Sequence, residues 1–362
     1  MTSLPSSSEV EQAVGVSRAG RRSHPLLRYL GIRFGISVLL LWGVTVITFV
    51  LANLVPANPA AAALGEKAAS DPKVVQAFNE AHGFDKPVVV QYFIYLGNLL
   101  RGNLGTSTQT HNPVTEDLGV AFPATIELAL FVIVFSIIIG LGLGLIAALR
   151  HNRFSDQIIR VFSLIGISIP TFWLAVAFFF VFFYLLGWAP GTGRLSPAAT
   201  APPHVTGMYT VDSLLAGQWD TFGDALSHLI LPGAVLTLYT VGLLVRFTRS
   251  GVLDVLSQDY VKAARAKGLP AHTVVFRYIL RGSLLPILTI VGLAFGSLLS
   301  GTVLTEQVFN WGGIGQYAYK AATTLDLPAI MGVGLIVGVV YIAINFVIDV
   351  VYGFIDPRVR VR

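Results

Sequence analysis

The chain has 362 residues, 54% of them hydrophobic and only 12% charged, with a formal net charge of +5. Soluble domains carry about 25% charged residues, so these proportions exclude an ordinary soluble globule and point to a protein of the bilayer. Cysteine is absent, which excludes disulfides, thiolate metal sites and cysteine nucleophiles; the basic excess is of the kind that sets membrane topology, not a nucleic-acid signal.

Residues 1–27 are rich in Ser, Gly and Arg and read as a mobile polar extension. A spanning helix needs roughly 20 apolar residues. The first uncharged run of that kind is Ile36–Leu54. It exceeds the ~7–15 apolar residues of a signal peptide, and a long polar arm precedes it, so it reads as a retained span. A long loop, about Pro56 to Phe122, follows. Within it a helix is expected over Asp71–His82, with Asp71 as N-cap, Pro72 at the first helical position and Gly83 after the end. Phe93–Leu100 is apolar but too short to cross and reads as interfacial.

Five further runs follow: Leu128–Leu149, Val161–Ala189 broken by Pro170, Leu229–Val245, Gly282–Thr305 containing Pro286, and Leu327–Ile348. Between the third and fourth runs, Pro190–Ser227 reads as a loop that turns helical around Val211–Ala216. With the N-terminus in the cytoplasm, eighteen of the 24 Lys and Arg fall inside, and only Lys67, Lys73, Lys86, Arg101, Arg194 and Lys320 fall outside. That bias orients the chain with both termini cytoplasmic. The expected fold is all-α, with six transmembrane helices.

None of the six runs contains Asp, Glu, Lys, Arg or His. Intramembrane charges mark proton relays and ion paths, so their absence argues against a proton-coupled carrier and places any energy source outside the spans. Glu127, Glu306 and Asp349 lie at span ends and read as solvated boundary charges. Three small-residue pairs, Gly140/Gly144, Gly292/Gly296 and Gly334/Gly338, are expected to allow close helix packing, within the chain or against a partner.

The segment 246–281 is the most informative. It contains DYVKAARAKGLP, in which Asp259 suits an N-cap, Tyr260–Lys267 makes about two helical turns and Gly268 suits the left-handed C′ position. Lys262, Arg265 and Lys267 favour the negative end of the helix dipole, and Ala263 and Ala264 leave a small patch for close approach. A short capped helix between two spans suits docking in a partner's groove; the plain alternative is a basic loop that only sets topology.

Ala263-Ala264-x-x-x-Gly268 followed by Leu285-Pro286 resembles the EAA-x-x-x-G…I-x-LP loop of permease subunits of ATP-binding-cassette importers, with Lys262 in place of the Glu and Ser283 at the Ile position. LGNLLRGNLGTS (Leu96–Ser107), FPATIELAL (Phe122–Leu130), GISIPTFWLA (Gly166–Ala175), HLILPGAVLTL (His228–Leu238), TEQVFNWGGIG (Thr305–Gly315) and IDPRVR (Ile355–Arg360) are similar to the oligopeptide/dipeptide/nickel family, OppB/DppB type. The resemblance implies a type I importer permease fold in which residues 28–122 hold the first span and outer loop, 123–357 the five-helix core and 358–362 a cytoplasmic tail. It implies a second permease subunit, two ATPase subunits and an extracytoplasmic solute-binding protein as partners, and a coupling role for Asp259, Tyr260, Lys262, Ala263, Ala264, Arg265, Lys267, Gly268 and Pro286. ATP and Mg would belong to the ATPase subunits, since this chain has no G-x-x-x-x-G-K-[ST] loop. Di- or oligopeptides are the implied cargo; nickel chelates or glutathione-like solutes are the alternatives within the family, and a passive channel or an intramembrane enzyme the alternatives outside it. The substrate-binding residues are not legible.

Overall fold

The computed structural model describes residues 25–54, 70–82 and 85–355. The polar extension to residue 24, Gly83 and the tail from residue 356 lie outside them. Thirteen helices are used below: α1 Pro25–Leu54, α2 Pro72–His82, α3 Val88–Leu100, α4 Val114–Leu149, α5 Phe154–Ser168 and α6 Thr171–Phe178, which widens into a π turn over Phe179–Leu185. After these come α7 Tyr209–Leu215, α8 Trp219–Leu256 and α9 Asp259–Ala266. The next, α10, starts at Ala271–Thr273, passes through a π turn over Val274–Ile279 and continues as Leu280–Gly301; α11 is Val303–Phe309, α12 Ile314–Thr323 and α13 Leu327–Ile355. Among the described residues five helices are long and apolar enough to cross a bilayer, and six spans result if the bent α5–α6 pair counts as one.

That bend is 96° and falls at Ile169-Pro170. The residue before a proline is pushed out of helical geometry, and Ile169 is extended at φ −82°, ψ 126°. Several boundaries differ from the hydropathy reading: the loop expected over Pro190–Ser227 already gives way to α8 at Trp219, the Gly282–Thr305 run breaks at Thr302, and two further differences bear on the site. The first long loop ends at Pro113, not Phe122, because α4 runs straight through Pro123. The fourth span belongs to a helix of 38 residues, so the segment between spans begins near Ser257 and not at Arg246. Charged residues ended the apolar windows, but a helix continues as long as its backbone bonds do. The helix expected over Asp71–His82 is present as α2: Asp71 accepts the Lys73 N–H at 2.9 Å, as an N-cap does.

Burial orders the bundle. Two-thirds of the most apolar window of α8 is buried, against 11% for α1 and 17% for α13. Helix α8 is therefore the hub, and α1 and α13 form the rim. Small residues make the seams. A Cβ on Gly140 would lie 2.7 Å from Leu244, and one on Gly144 equally close to Thr248, so α4 presses its glycines against α8. Gly166 of α5 and Gly242 of α8 approach each other's helices reciprocally: a Cβ on either would fall within 2.7 Å of the carbonyl of Leu238 or Ser163. Gly292 and Gly296 of α10 receive Ile348 and Tyr341 of α13, while Gly334 and Gly338 of α13 receive Thr48 and Val44 of α1. All three glycine pairs thus meet neighbours inside the chain. Without a hydrophobic driving force between helices in lipid, such close approach is the main source of cohesion.

Candidate functional site: a docking helix and a polar knot

Helix α4 connects two polar regions. Thr125 lies near one and Ala148 at the other, about 35 Å apart at 1.5 Å per residue.

At the Ala148 end, α9 is amphipathic. Val261 and Ala264 are buried in a cluster with Ala148 of α4, Val252 and Val255 of α8, and Val274 and Ile279 of α10. Asp259, Tyr260, Lys262, Ala263, Arg265 and Lys267 are exposed. The N-cap is Gln258, without a side-chain bond, so Asp259 is not the cap; it occupies the first turn and accepts from Lys262 Nζ at 3.0 Å. Ala264 also departs from expectation. Its small side chain admits the chain's own α4 and α8, and only Ala263 of the pair offers a surface. Gly268 has φ +72° and open space around it, so backbone conformation, not crowding, selects glycine there.

Pro286 lies inside α10, where it meets Gly251 of α8: a Cβ there would sit 3.3 Å from the proline ring. One turn earlier Ser283 donates to Ile279 O at 3.0 Å and to Gly251 O at 3.3 Å. Gly282 leaves room for the Tyr260 hydroxyl. The downstream half of the segment therefore seats α9 on the bundle. Deeper in, Asp156 of α5 is fully buried and takes a two-pronged bond from Arg249 of α8, at 2.7 and 2.8 Å.

At the other end Glu127 and Glu306, expected to be solvated boundary charges, are interior. Glu306 has no solvent exposure. It accepts from Thr125 Oγ1 at 2.7 Å, Thr302 Oγ1 at 3.0 Å and the Gln316 N–H at 2.9 Å. Burial pushes its carboxyl above the ordinary range, with these bonds pulling the other way. Its cradle is made by Gly313, where a Cβ would come within 2.6 Å of both carboxyl oxygens. Asn310 (φ 49°) and Gly312 (φ 74°) are left-handed, and the turn they make drives the buried Trp311 inward, where its Nε1 donates to Ala124 O at 2.8 Å. Gln316 clasps the turn, accepting from Gly312 N at 2.7 Å and donating to Asn310 Oδ1 at 2.6 Å.

Glu127 is also buried. Arg194 donates to it at 2.7 Å, and Thr210 donates through both N–H and hydroxyl at 2.6 Å. The Arg194 guanidinium lies 3.7 Å from the centre of the Tyr209 ring, a cation–π contact. Asp212 anchors the same loop. Burial raises its carboxyl, but bonds from Thr206, Val205 and Gly207 outweigh this and hold it below the usual range. Asp326, buried at the start of α13, accepts from Ser107 and from the Ala329 N–H at 3.2 Å, tying the 101–113 loop down. The third residue read as a boundary charge, Asp349, lies toward the opposite, α9 end, where it pairs from inside α13 with Arg33 of α1 at 3.1 Å.

Sequence reading missed the interior roles of Glu127, Glu306, Asp326, Asp156, Arg194 and Arg249. A signal existed for two of them: Glu127 and Glu306 each follow a Thr closely inside a Gly- or apolar-rich motif, an odd setting for a solvated charge. Among the described residues no group of three His, Cys, Asp or Glu is placed to hold a metal ion.

Long apolar helices around a central one, sealed at one end by buried carboxylates and carrying a short amphipathic helix at the other, describe a membrane transport component. The chain belongs to the family of binding-protein-dependent transport system inner membrane components, which matches residues 140–361, with the family's N-terminal membrane-component region at 26–129. It is 42% identical to the probable D,D-dipeptide transport system permease protein DdpB of Escherichia coli (strain K12), over 89% of this chain and 94% of that one. It is 40% identical to the di/tripeptide transport system permease protein DppB of Pseudomonas aeruginosa, over 92% and 99% of the two chains. The dipeptide transport system permease protein DppB of Alkalihalophilus pseudofirmus is 38% identical over 92% of this chain and all of its own length.

Proposed function

We propose that this chain is the transmembrane permease subunit of an ATP-driven importer of di- or oligopeptides, seated in the plasma (inner) membrane with both termini in the cytoplasm. The observation that carries the peptide reading is the end-to-end similarity to three permeases named for di- or tripeptide transport. Its partners are a second, related permease, two ATPase subunits that hold ATP and Mg, and an extracytoplasmic solute-binding protein. The chain itself is not the ATPase.

Coupling runs through α9. Its exposed face, with Ala263 flanked by Lys262, Arg265 and Lys267, docks in an ATPase groove. Closure of the ATPases on nucleotide then pulls on α9 and biases the spans between outward- and inward-facing states. With α9 cytoplasmic, the Glu306 knot faces the binding protein.

Purification from the native membrane in mild detergent tests the assembly. A second six-span permease and P-loop ATPases are expected to come with this chain. Its recovery alone, repeated with nucleotide trapped, would overturn the reading. Gly268→Asp is expected to abolish peptide uptake while membrane insertion is retained; normal uptake would remove the docking role of α9.

A further inference from the structure

The face of α9 that docks is one question; what holds its buried face to the spans is another. Three elements meet under α9: the end of α4 at Ala148, the end of α8 at Val252 and Val255, and the start of α10 at Val274 and Ile279. Apolar contact alone would let them slide. Beside the bond from Ser283 to the Gly251 carbonyl, an ion pair crosses this region. Asp156, fully buried, takes Arg249 Nε at 2.7 Å and Nη2 at 2.8 Å. The Asn152 N–H donates to the same carboxylate at 3.0 Å, and Arg249 donates to His151 Nδ1 at 3.0 Å. Asn152 lies in the turn that joins α4 to α5 and is left-handed, with φ 61°. Arg249 is on α8, about one turn before Val252, the residue against which α9 rests. A two-pronged bond to a planar guanidinium fixes distance and orientation together.

We propose that Asp156 and Arg249 form a clamp that positions the coupling helix, locking the α4–α5 turn to α8 so that α9 and the ends of α4, α8 and α10 move as one body. This rests on the coupling reading of α9. In the resting and nucleotide-bound importer alike the clamp stays closed, and the displacement of α9 reaches the spans undiminished. Conformational change is then taken up elsewhere; the 96° break at Ile169-Pro170, beyond the far end of α5, is the natural place. Asp156 and Arg249 act through the elements they join and are positioning residues.

The test uses the complete importer in proteoliposomes, reading peptide taken up per ATP hydrolysed. Arg249→Met is expected to lower that ratio at least tenfold, with ATP hydrolysis continuing. The double variant Asp156→Asn with Arg249→Gln removes both charges of the pair. It is expected to restore thermal stability and assembly yet leave the ratio at least threefold low, because two neutral amides do not reproduce the two-pronged geometry. A wild-type ratio in the double variant would overturn the clamp and leave the pair a structural neutralisation.

A second readout does not depend on variants that disturb the pair. The chain has no cysteine, so in an importer assembled with cysteine-free partner subunits, spin labels at Arg153→Cys and Ser257→Cys, both exposed, report one distance. That distance is expected to be narrow and unchanged between nucleotide-free and nucleotide-trapped importer. A shift with nucleotide would also sink the clamp. Ala263→Trp separates the two readings: loss of ATPase co-purification upholds docking through α9 whatever the label distance does, and full retention with normal uptake removes docking.

Discussion

The knot around Glu306 at one end of α4 and the helix α9 at the other use charge in opposite ways. At the Glu306 end, acidic groups are turned inward and satisfied by hydroxyls, backbone N–H groups and one arginine, and the loops wrap over them. At the α9 end, the short helix turns valine and alanine inward and leaves its cations outside. Both ends carry motifs of similar look in the sequence, yet one is scaffold and the other is surface. A buried polar group without partners costs about 1–3 kcal/mol, so the knot at the Glu306 end commits its loops to one arrangement. Exposed charges on α9 carry little stability, which leaves that face free to serve a partner.

The comparison is broken most sharply at Glu306. Glu306→Ala is expected to cost about 3–5 kcal/mol, since it strands several buried donors and opens a cavity; thermal melting in detergent reads it. Glu306→Gln should cost no more than about 1 kcal/mol, with its amide nitrogen turned toward the Thr125 and Thr302 hydroxyls and its oxygen toward the Gln316 N–H. Equal losses in the two variants would mean that the carboxylate charge itself is required.

Arg194→Met comes next. It leaves Glu127 buried with only the Thr210 donors, and the expected loss is about 3 kcal/mol, read the same way. Gly296→Leu, which would collide with Tyr341 at the α10–α13 seam, should cost about 1–3 kcal/mol by overpacking and is scored by melting and by folded yield.

The Asp212 anchor gives a pH test. Its folded carboxyl lies below the ordinary value, so its stabilisation is present above the unfolded pKa and is lost as pH falls through the folded one. Asp212→Asn should therefore lower the melting temperature near neutral pH and converge with the parent in acid. A constant gap across pH would mean the hydrogen bonds survive protonation.

The smallest stability effect belongs to Lys262→Ala, which breaks only the exposed 3.0 Å pair with Asp259. No change in melting is expected, so a fall in peptide uptake in that variant would report docking alone. Unchanged uptake would confine docking to Ala263, Arg265 and Lys267.

Much of this molecule follows from its sequence. Apolar run length dictates the spans, because lipid leaves unsatisfied backbone groups no solvent partner and only a helix bonds them internally. Pro170 marks the break, Pro72 and Asp71 the start of α2, and Gly268 the end of α9, because each depends on local backbone conformation alone. Tertiary structure decided where α4 starts and where α8 stops, since a charge at the edge of an apolar window does not end a helix that has neighbours to lie against. It decided that Ala264 faces inward while Ala263 faces out. It also decided that Glu127, Glu306, Asp156 and Asp326 are interior. Whether a carboxylate near a span end meets water or a ring of donors depends on loops from elsewhere in the chain folding over it. Arg194 is 67 residues from Glu127 and Arg249 is 93 from Asp156, separations at which no local pattern reports a partner.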